Sequence, residues 1–281
     1  MSISAAAVKT LRDRTNAPMM DCKAALTEAG GDMDKAIEIL RKKNAGIQAK
    51  KGDRETAEGR IGLYLSDDGK LGALIEMRCE SAPVAKSEHF VALANDLARQ
   101  VALKNPATVE ELLAQPFIDD PSRTVNDRIG EVVGLIRENM KPARFVRVEG
   151  LVGAYVHHDG AVGVMVQAEG AKSDPAVLRD VAMHITAKTP NYARREEVPA
   201  AILDQEREIA RSQIAADPKN ASKPANIIDK IIEGKLRTWF GENVLLEQPF
   251  VKEESKTVGQ LLDAAGLKFV KFFRLRVGEL S

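Results

Sequence analysis

The segment GLYLSDDGKLG, residues 62–72, returns without a gap as GAYVHHDGAVG, residues 153–163, which lie 91 positions further along the chain. Each copy is an alternating strand pattern around Asp-Gly, the strongest short signal for a β-hairpin. Apolar residues continue each second strand, such as Ile75 in the first copy and Val164 in the second. The chain is therefore predicted to contain a duplicated lobe that begins with an antiparallel hairpin.

Two further pairs of segments extend this duplication. LANDLARQVALKNP (93–106) matches VLRDVAMHITAKTP (177–190), and QPFI with SRTV (115–118 and 122–125) matches QPFV with SKTV (248–251 and 255–258). The first pair is helical in pattern, and a closing strand is expected in each copy, at 144–148 and 272–277. We therefore predict an α+β fold in which two related lobes each combine an antiparallel sheet with helices.

The two copies differ in length at two places. The spacing of the matched segments gives the first copy seven extra residues within 78–87 and the second copy 49 extra residues between 190 and 245. Insertions on a shared frame often carry function, although the shorter one is equally compatible with neutral variation. The longer one has a charged periodic stretch (198–215), a turn (217–224) and a second apolar stripe (227–236). It predicts a helical hairpin at about 191–240, which either projects as a contact surface or packs on its own lobe.

Residues 3–46 have the pattern of three short helices. The first is expected over Ser4–Arg14, the second with Asp21 as its cap, and the third with Asp32 as its cap. Helices of this length are marginal alone, so they must pack together as a small unit. The charged stretch 50–55 is expected to be a linker, with a helix end as the alternative for its two lysines. The predicted domains are 1–50, 56–141 and 142–281.

Composition limits the classes of function. The 281 residues contain 41 Lys plus Arg and 41 Asp plus Glu, and the formal net charge of zero argues against a dedicated nucleic-acid binder. No stretch has the pattern of an export signal or a membrane span, so a cytoplasmic location is expected. Cys22 and Cys79 are then expected to be free, buried thiols.

Motifs of catalysis are not found in the sequence. There is no glycine-rich phosphate loop and no nucleophile motif. The adjacent pair His157 and His158 is weak as a metal signal, and His184 on an apolar helix face fits a core residue. We therefore expect no enzyme activity, no metal and no cofactor. Two alternatives remain open: a nucleic-acid-associated module that uses the basic run 41–43, and an enzyme of unknown type.

Several of these segments resemble the elongation factor Ts family. They are VKTLRDRT (8–15) and MMDCKAAL (19–26), similar to its N-terminal ubiquitin-associated-like three-helix domain, together with AMHI (182–185) and the QPFV and SKTVGQLL segments near the C-terminal end. The resemblance extends over essentially the whole chain. It implies a guanine nucleotide exchange factor that binds elongation factor Tu in its GDP-bound and nucleotide-free forms and promotes GDP release during translation elongation. From the charge and hydropathy of the chain, membranes and nucleic acids are not expected as direct partners.

The same resemblance implies which residues contact the partner. On the first two helices these are Arg12, Met19, Met20 and Lys23, with burial in the helical core as the alternative for the methionines. Further partner-facing positions are Ile129, His157, Ile231 and Ile232. The helical hairpin is implied to mediate self-association or partner contact, depending on the lineage.

The short insertion departs from the family pattern. The family loop usually reads Thr-Asp-Phe-Val-Ala, whereas this chain has Ser81, Ala82, Pro83 and Val84, followed by alanine. Ala82 supplies no charge and Pro83 is a smaller, stiffer apolar group than phenylalanine. Our hypothesis is that the loop still inserts into the partner and that exchange relies more on contacts elsewhere.

Overall fold

The computed structural model describes residues 3–170, 175–217 and 223–279. Contacts divide the chain into two compact units. Unit 1 comprises Met1–Glu149, Val156–Gly163 and Arg274–Ser281, and unit 2 comprises Gly150–Tyr155 and Val164–Phe273. The finer division at residues 50, 56 and 141 stays a prediction.

Three helices open the chain: α1 (Ala5–Thr15), α2 (Met19–Glu28) and α3 (Met33–Lys51). Asp32 caps α3 by accepting two backbone N–H bonds at 3.1 Å, as predicted, and Ser4, expected to begin the first helix, is its cap. Asp21 is not the cap of α2, because the chain already turns into the helix after Pro18 and Asp21 lies in the first turn. Lys50 and Lys51 end α3, so the linker begins only at Gly52.

The first repeat then follows in unit 1. Its elements are β1 (Glu58–Leu65), β2 (Leu71–Cys79), α4 (Ala82–Ala85), α5 (Glu88–Lys104), α6 (Val109–Ala114), β3 (Pro116–Phe117), β4 (Asp120–Thr124), α7 (Val125–Ile136) and β5 (Met140–Glu149). The sheet has the order β1-β2-β5, with both pairs antiparallel. Asp68-Gly69 lies in the tight turn between β1 and β2, where Gly69 has the positive φ of 65° that the turn requires.

The second repeat has the same order of elements around its insertion. Its elements are β6 (Leu151–Val156), β7 (Val162–Gly170), α8 (Pro175–Lys188), α9 (Ala200–Ala216), α10 (Ala225–Asn243), β8 (Pro249–Phe250), β9 (Glu253–Thr257), α11 (Val258–Ala264) and β10 (Leu267–Arg276). The sheet order β6-β7-β10 repeats that of the first lobe. The predicted duplication and α+β class are therefore confirmed.

Local details repeat as well. β3–β4 and β8–β9 have the same bulged register, with Pro116 opposite Thr124 and Pro249 opposite Thr257. Both threonines then form a capping box at the start of α7 or α11. The caps and registers therefore agree, although α7 has 12 residues and its counterpart α11 has 7.

The insertions have the following structures. The first insertion, expected to be a loop, contains the single helical turn α4, and the described part of the second contains the two helices α9 and α10 of the predicted hairpin. The turn predicted at 217–224 lies outside the described residues at positions 218–222. The buried side chains of the hairpin, among them Ile214, Ile232 and Leu236, form a separate hydrophobic cluster.

Candidate functional site

The exposed surface of α1 and α2 carries four of the residues that the resemblance implied. Met19 and Met20 are 54% and 72% exposed, Lys23 on the same helix is exposed, and Arg12 is exposed on α1. The helical core is built from other residues of these helices, such as Leu11. The core alternative for the two methionines is therefore wrong. We call these four residues the methionine surface; two flexible thioether chains with two cations suit an adaptable contact to another protein.

The segment 81–84 presents only two of its four residues to solvent. Ala82 and Pro83 are exposed, whereas Ser81 and Val84 are half-buried. Val84 packs against the hydrophobic core of the first repeat, and the next residue, Ala85, is buried in it. We call this segment the α4 turn. Its exposed tip is small, apolar and conformationally stiff, because proline fixes its own φ.

One carboxylate holds the start of the α4 turn. Glu138 accepts two hydrogen bonds from Ser81, one from the hydroxyl at 2.7 Å and one from the backbone N–H at 3.1 Å. The Cys79 thiol donates to the Ser81 carbonyl at 3.4 Å. Burial raises the pKa of Cys79 to about 12, and the nearby Glu138 charge adds to the shift. The thiol therefore stays protonated and serves as a donor. The N–H, the hydroxyl and the carbonyl of Ser81 are all hydrogen-bonded.

The residues on either side of Glu138 connect to other segments. Arg137 donates to Asp21 of α2 at 3.0 Å. The Asn139 side chain donates to the carbonyls of Gly52 and Arg54 at 3.1 and 2.8 Å. We call residues 137–139 the junction. It ties α2, the linker and the α4 turn to the end of α7.

The Asn139 backbone completes the junction. Its N–H donates to Glu80 at 2.6 Å, and this bond, together with Arg54, holds the pKa of the Glu80 carboxyl below its usual range. Asn139 itself is buried. A buried amide that uses its side chain and its backbone N–H in this way is a fixed structural point.

Close packing of α3 on α7 holds the three N-terminal helices against the first lobe. A Cβ at Gly134 would lie 2.1 Å from the Asn44 side-chain oxygen, and one at Gly130 would lie 2.9 Å from that of Gln48. Glycine at these positions therefore leaves room for the Asn44 and Gln48 side chains of α3 against α7. The methionine surface and the α4 turn thus belong to one packed assembly within unit 1.

Other predicted partner contacts are placed differently. Ile129 is only 1% exposed and lies in the core of the first repeat, so it is not part of any exposed surface. Ile232 is 4% exposed because it packs inside the hairpin, while Ile231 is half-buried beside it. His157 lies half-buried in the β6–β7 turn, with its ring centroid 4.2 Å from that of His158. The apolar stripe that contains Ile231 and Ile232 predicts a helix face, but it does not show whether that face meets a core or a partner.

The basic run 41–43, which supported the nucleic-acid alternative, is engaged within the chain. Arg41 donates to the carbonyl and hydroxyl of Ser122, both at 3.1 Å. Lys42 pairs with Glu38 at 2.7 Å, and Lys43 pairs with Asp21 at 2.8 Å. Since each cation has an intramolecular partner, this run does not form an unpaired basic patch.

Residues 3–170, 175–217 and 223–279 contain neither a metal-binding cluster nor a membrane-spanning helix. Within these ranges, no group of three or more His, Cys, Asp or Glu side chains could hold a metal ion. In the same part of the chain, no helix has the length and apolar character needed to cross a bilayer. Cys22 and Cys79 are both buried and free, as predicted.

A three-helix unit with an exposed methionine surface, joined to two duplicated α+β lobes, is typical of the class of proteins that act by binding another protein. A family model described as Elongation factor TS matches residues 83–279. The chain belongs to the elongation factor Ts family, and its role is in translation elongation.

Full-length relatives agree with this assignment. The elongation factor Ts of Aquifex aeolicus (strain VF5) is 41% identical over an alignment that covers 100% of this chain and 99% of the relative. That of Azoarcus sp. (strain BH72) is 44% identical, with 99% and 91% covered. That of Trichlorobacter lovleyi is 42% identical, with 94% and 87% covered. The similarity therefore includes the N-terminal helices, which lie outside the family-model match.

Sequence reasoning missed the junction. Arg137, Glu138 and Asn139 follow an amphipathic helix and have no motif of their own. Their contacts to Asp21 and Ser81 span 116 and 57 positions. The only local signal is a run of polar residues where the helix α7 ends, which is also common at helix ends without function.

Proposed function

We propose that this protein is a guanine nucleotide exchange factor: it binds the GTPase elongation factor Tu in its GDP-bound form and promotes GDP release. The observation that carries the proposal is the exposure of Met19 and Met20 in a unit that also fixes the α4 turn. A protein of this kind needs no catalytic group of its own. It must bind the nucleotide-free partner more tightly than the GDP form, and the difference in binding free energy weakens the nucleotide.

The two surfaces have different tasks in this proposal. The methionine surface supplies apolar contact area and two cations, and so contributes affinity for both forms of the partner. The α4 turn supplies a blunt, uncharged tip at Ala82 and Pro83. Such a tip carries no charge, so it acts on the partner's nucleotide site by occupying space and not by electrostatic attraction or repulsion.

The test is release of a fluorescent GDP analogue from elongation factor Tu of the same organism. Acceleration by substoichiometric amounts of the protein is the expected result. M19A/M20A should raise the concentration needed for half-maximal acceleration roughly 10- to 100-fold, because two exposed contact side chains are removed. L103A is the matched control, since Leu103 is 45% exposed in the same unit but belongs to neither surface.

P83G tests the α4 turn separately. It should leave binding nearly intact and lower the maximal rate of release. If P83G changed neither binding nor release, insertion of the turn would be wrong. If the unaltered protein neither bound nor accelerated release, the proposed function itself would be wrong.

We also propose that the α9–α10 hairpin mediates self-association. Its exposed Ile209 and Ile227 are the motivating observation. Sedimentation equilibrium gives the mass directly, and a monomer at all concentrations would contradict this part of the proposal.

A further inference from the structure

We infer that Glu138 is a positioning residue for nucleotide exchange. It holds the α4 turn in the orientation in which Ala82 and Pro83 meet the partner, and the adjacent Arg137 links that turn to the methionine surface through Asp21. This inference rests on the proposed exchange function and adds the residues that set its geometry.

Glu138 holds Ser81 through two hydrogen bonds. The two oxygens of Glu138 accept from the hydroxyl and from the backbone N–H of the same residue, at 2.7 and 3.1 Å. A single bond would allow the turn to pivot, whereas two bonds from one carboxylate fix a direction. At the other end, Val84 and Ala85 are held by the core. Only Ala82 and Pro83 between these anchors are exposed.

The exposed tip of the α4 turn has short and rigid side chains. Ala82 has one side-chain carbon, and Pro83 has no rotatable side chain. Neither can reach for a partner group by changing rotamer, so their effect depends on where the backbone places them. A tip that is already in place when the partner binds acts on the nucleotide site at once, and a misplaced tip loses that effect even when binding is retained.

Arg137 has an unusual backbone conformation for a residue with a long side chain. This residue ends α7 with a φ of 69°, in the left-handed region that glycine adopts without strain. Instead of glycine, the position has a side chain that reaches Asp21 at 3.0 Å. Asp21 also pairs with Lys43 at 2.8 Å, so α2 and α3 both meet the junction through it. Arg137 thus contacts Asp21, next to the methionine surface, and Glu138 contacts Ser81 at the start of the α4 turn.

The experiment compares E138A, E138Q and R137G in the GDP-release assay, with affinity for nucleotide-free partner measured separately. E138A should lower the maximal release rate roughly 10- to 100-fold, as expected when a contacting group is misplaced, with less than a threefold change in affinity. E138Q keeps one acceptor for Ser81 and should recover part of the rate. E38A, at an exposed glutamate of α3 outside the junction, should behave like the unaltered protein.

R137G keeps the test decisive if E138A folds poorly. Glycine relaxes the left-handed backbone, so the thermal midpoint should not fall, whereas loss of the Asp21 link should weaken partner binding about three- to tenfold. A rate loss in E138A that only follows its unfolded fraction would overturn the inference. An unaltered release rate in E138A, together with unaltered partner binding by R137G, would overturn it as well. Failure of the unaltered protein to accelerate release would instead overturn the proposed function.

Discussion

Gln100 of α5 ties its helix to the strand pair that follows it. Its side-chain amide donates to Gln115 at 3.1 Å, and its carbonyl oxygen accepts from the Ile118 N–H at 2.9 Å. Gln100 is fully buried. A buried amide that both donates and accepts in this way fixes the helix to the β3–β4 pair.

His184 occupies the equivalent position of α8 and makes the same two contacts. Its Nε2 lies 2.9 Å from the Gln248 side-chain oxygen, and its Nδ1 accepts from the Val251 N–H at 3.2 Å. The acceptor role of Nδ1 places the proton on Nε2 of a neutral ring. Burial lowers the pKa of His184 from its ordinary 6.5, since a charged ring would lose solvation and the Val251 bond.

This predicts a pH dependence of stability. Above about pH 6.5 the contribution of neutral His184 is complete. Below that pH the unfolded state takes up a proton that the folded state does not, so the free energy of unfolding falls until the pH passes the folded pKa. H184Q should remove this component while staying within about 1 kcal/mol of the unaltered protein at pH 7.5, because glutamine already makes these bonds at position 100.

Urea unfolding between pH 8 and pH 5 measures the contribution of His184 to the free energy of unfolding. The difference in unfolding free energy between H184Q and the unaltered protein should shift in favour of H184Q as the pH falls. Q100H is the reciprocal control and should introduce an added pH dependence in the first repeat. Parallel curves for H184Q and the unaltered protein would contradict the assignment.

At the scale of elements, each repeat presses a helix onto a strand through one glycine. A Cβ at Gly62 in β1 would lie 2.1 Å from the Ala94 carbonyl oxygen of α5. A Cβ at Gly153 in β6 would lie 2.2 Å from the Leu178 Cβ of α8. These are the same two positions in both copies. Atoms at the base of a packed helix cannot rotate away, so relief requires moving the helix.

G62A and G153A should therefore each destabilise the protein by about 2 to 4 kcal/mol through overpacking. Thermal or urea unfolding measures the change. G46A and G234A are the matched controls, because no atom outside their own helix lies within 4 Å of a Cβ at either position. Both lie in helices, where alanine is favoured, so these controls should gain about 0.5 to 1 kcal/mol. Equal effects at all four sites would show that close approach does not matter.

How far the sequence predicted these elements depends on the range of the interactions involved. Asp-Gly between alternating residues specifies its hairpin locally, and Asp32 caps its helix through bonds to neighbours. The order of elements in both repeats was predictable for that reason. The α4 turn was expected to be a loop, since nothing local distinguishes one helical turn stabilised by Glu138 from irregular chain.

Only part of the candidate site was predictable from the sequence, because the burial of a side chain depends on contacts with residues far along the chain. The four residues of the methionine surface are exposed, as a contact requires. Ile129, by contrast, is buried by packing partners far along the chain. A periodic apolar residue has the same pattern whether it faces a core or a partner, and only tertiary structure separates the two cases.

At the scale of the whole molecule, residues distant in sequence complete unit 1. Glu76 in β2 is buried and accepts from Arg78 at 3.1 Å, from Arg144 at 2.8 Å and from the Gly278 N–H at 2.9 Å. Arg144 also donates to the Arg276 carbonyl at 3.0 Å. One carboxylate therefore joins the first sheet to the end of β10.

E76A should destabilise unit 1 by about 3 kcal/mol, because two partly buried guanidinium groups lose their carboxylate. A chain that ends at Arg276 retains those ion pairs. It loses the Gly278 bond, the bond from the Val277 N–H to the Ala161 carbonyl and the exposed Arg274–Glu279 ion pair, so its loss should be about 2 kcal/mol. Urea unfolding measures the loss of stability in both variants, and hydrogen exchange in β1 and β2 shows which strands are affected. A larger loss from the truncation than from E76A would show that these tail contacts outweigh the buried carboxylate.

The chain path of unit 1 also sets an order of events on the ribosome. Residue 149 is synthesised about 130 codons before Gly278, a delay of roughly 6 to 26 s at 5–20 residues per second. During that interval Glu76 has both arginines but lacks the Gly278 N–H, and the Ile61 N–H lacks the Gly160 carbonyl until the β6–β7 turn emerges. Gly160 follows residue 149 by only 11 positions and so completes its bond early, whereas the buried Glu76 lacks its Gly278 partner until nearly the whole second lobe has been translated.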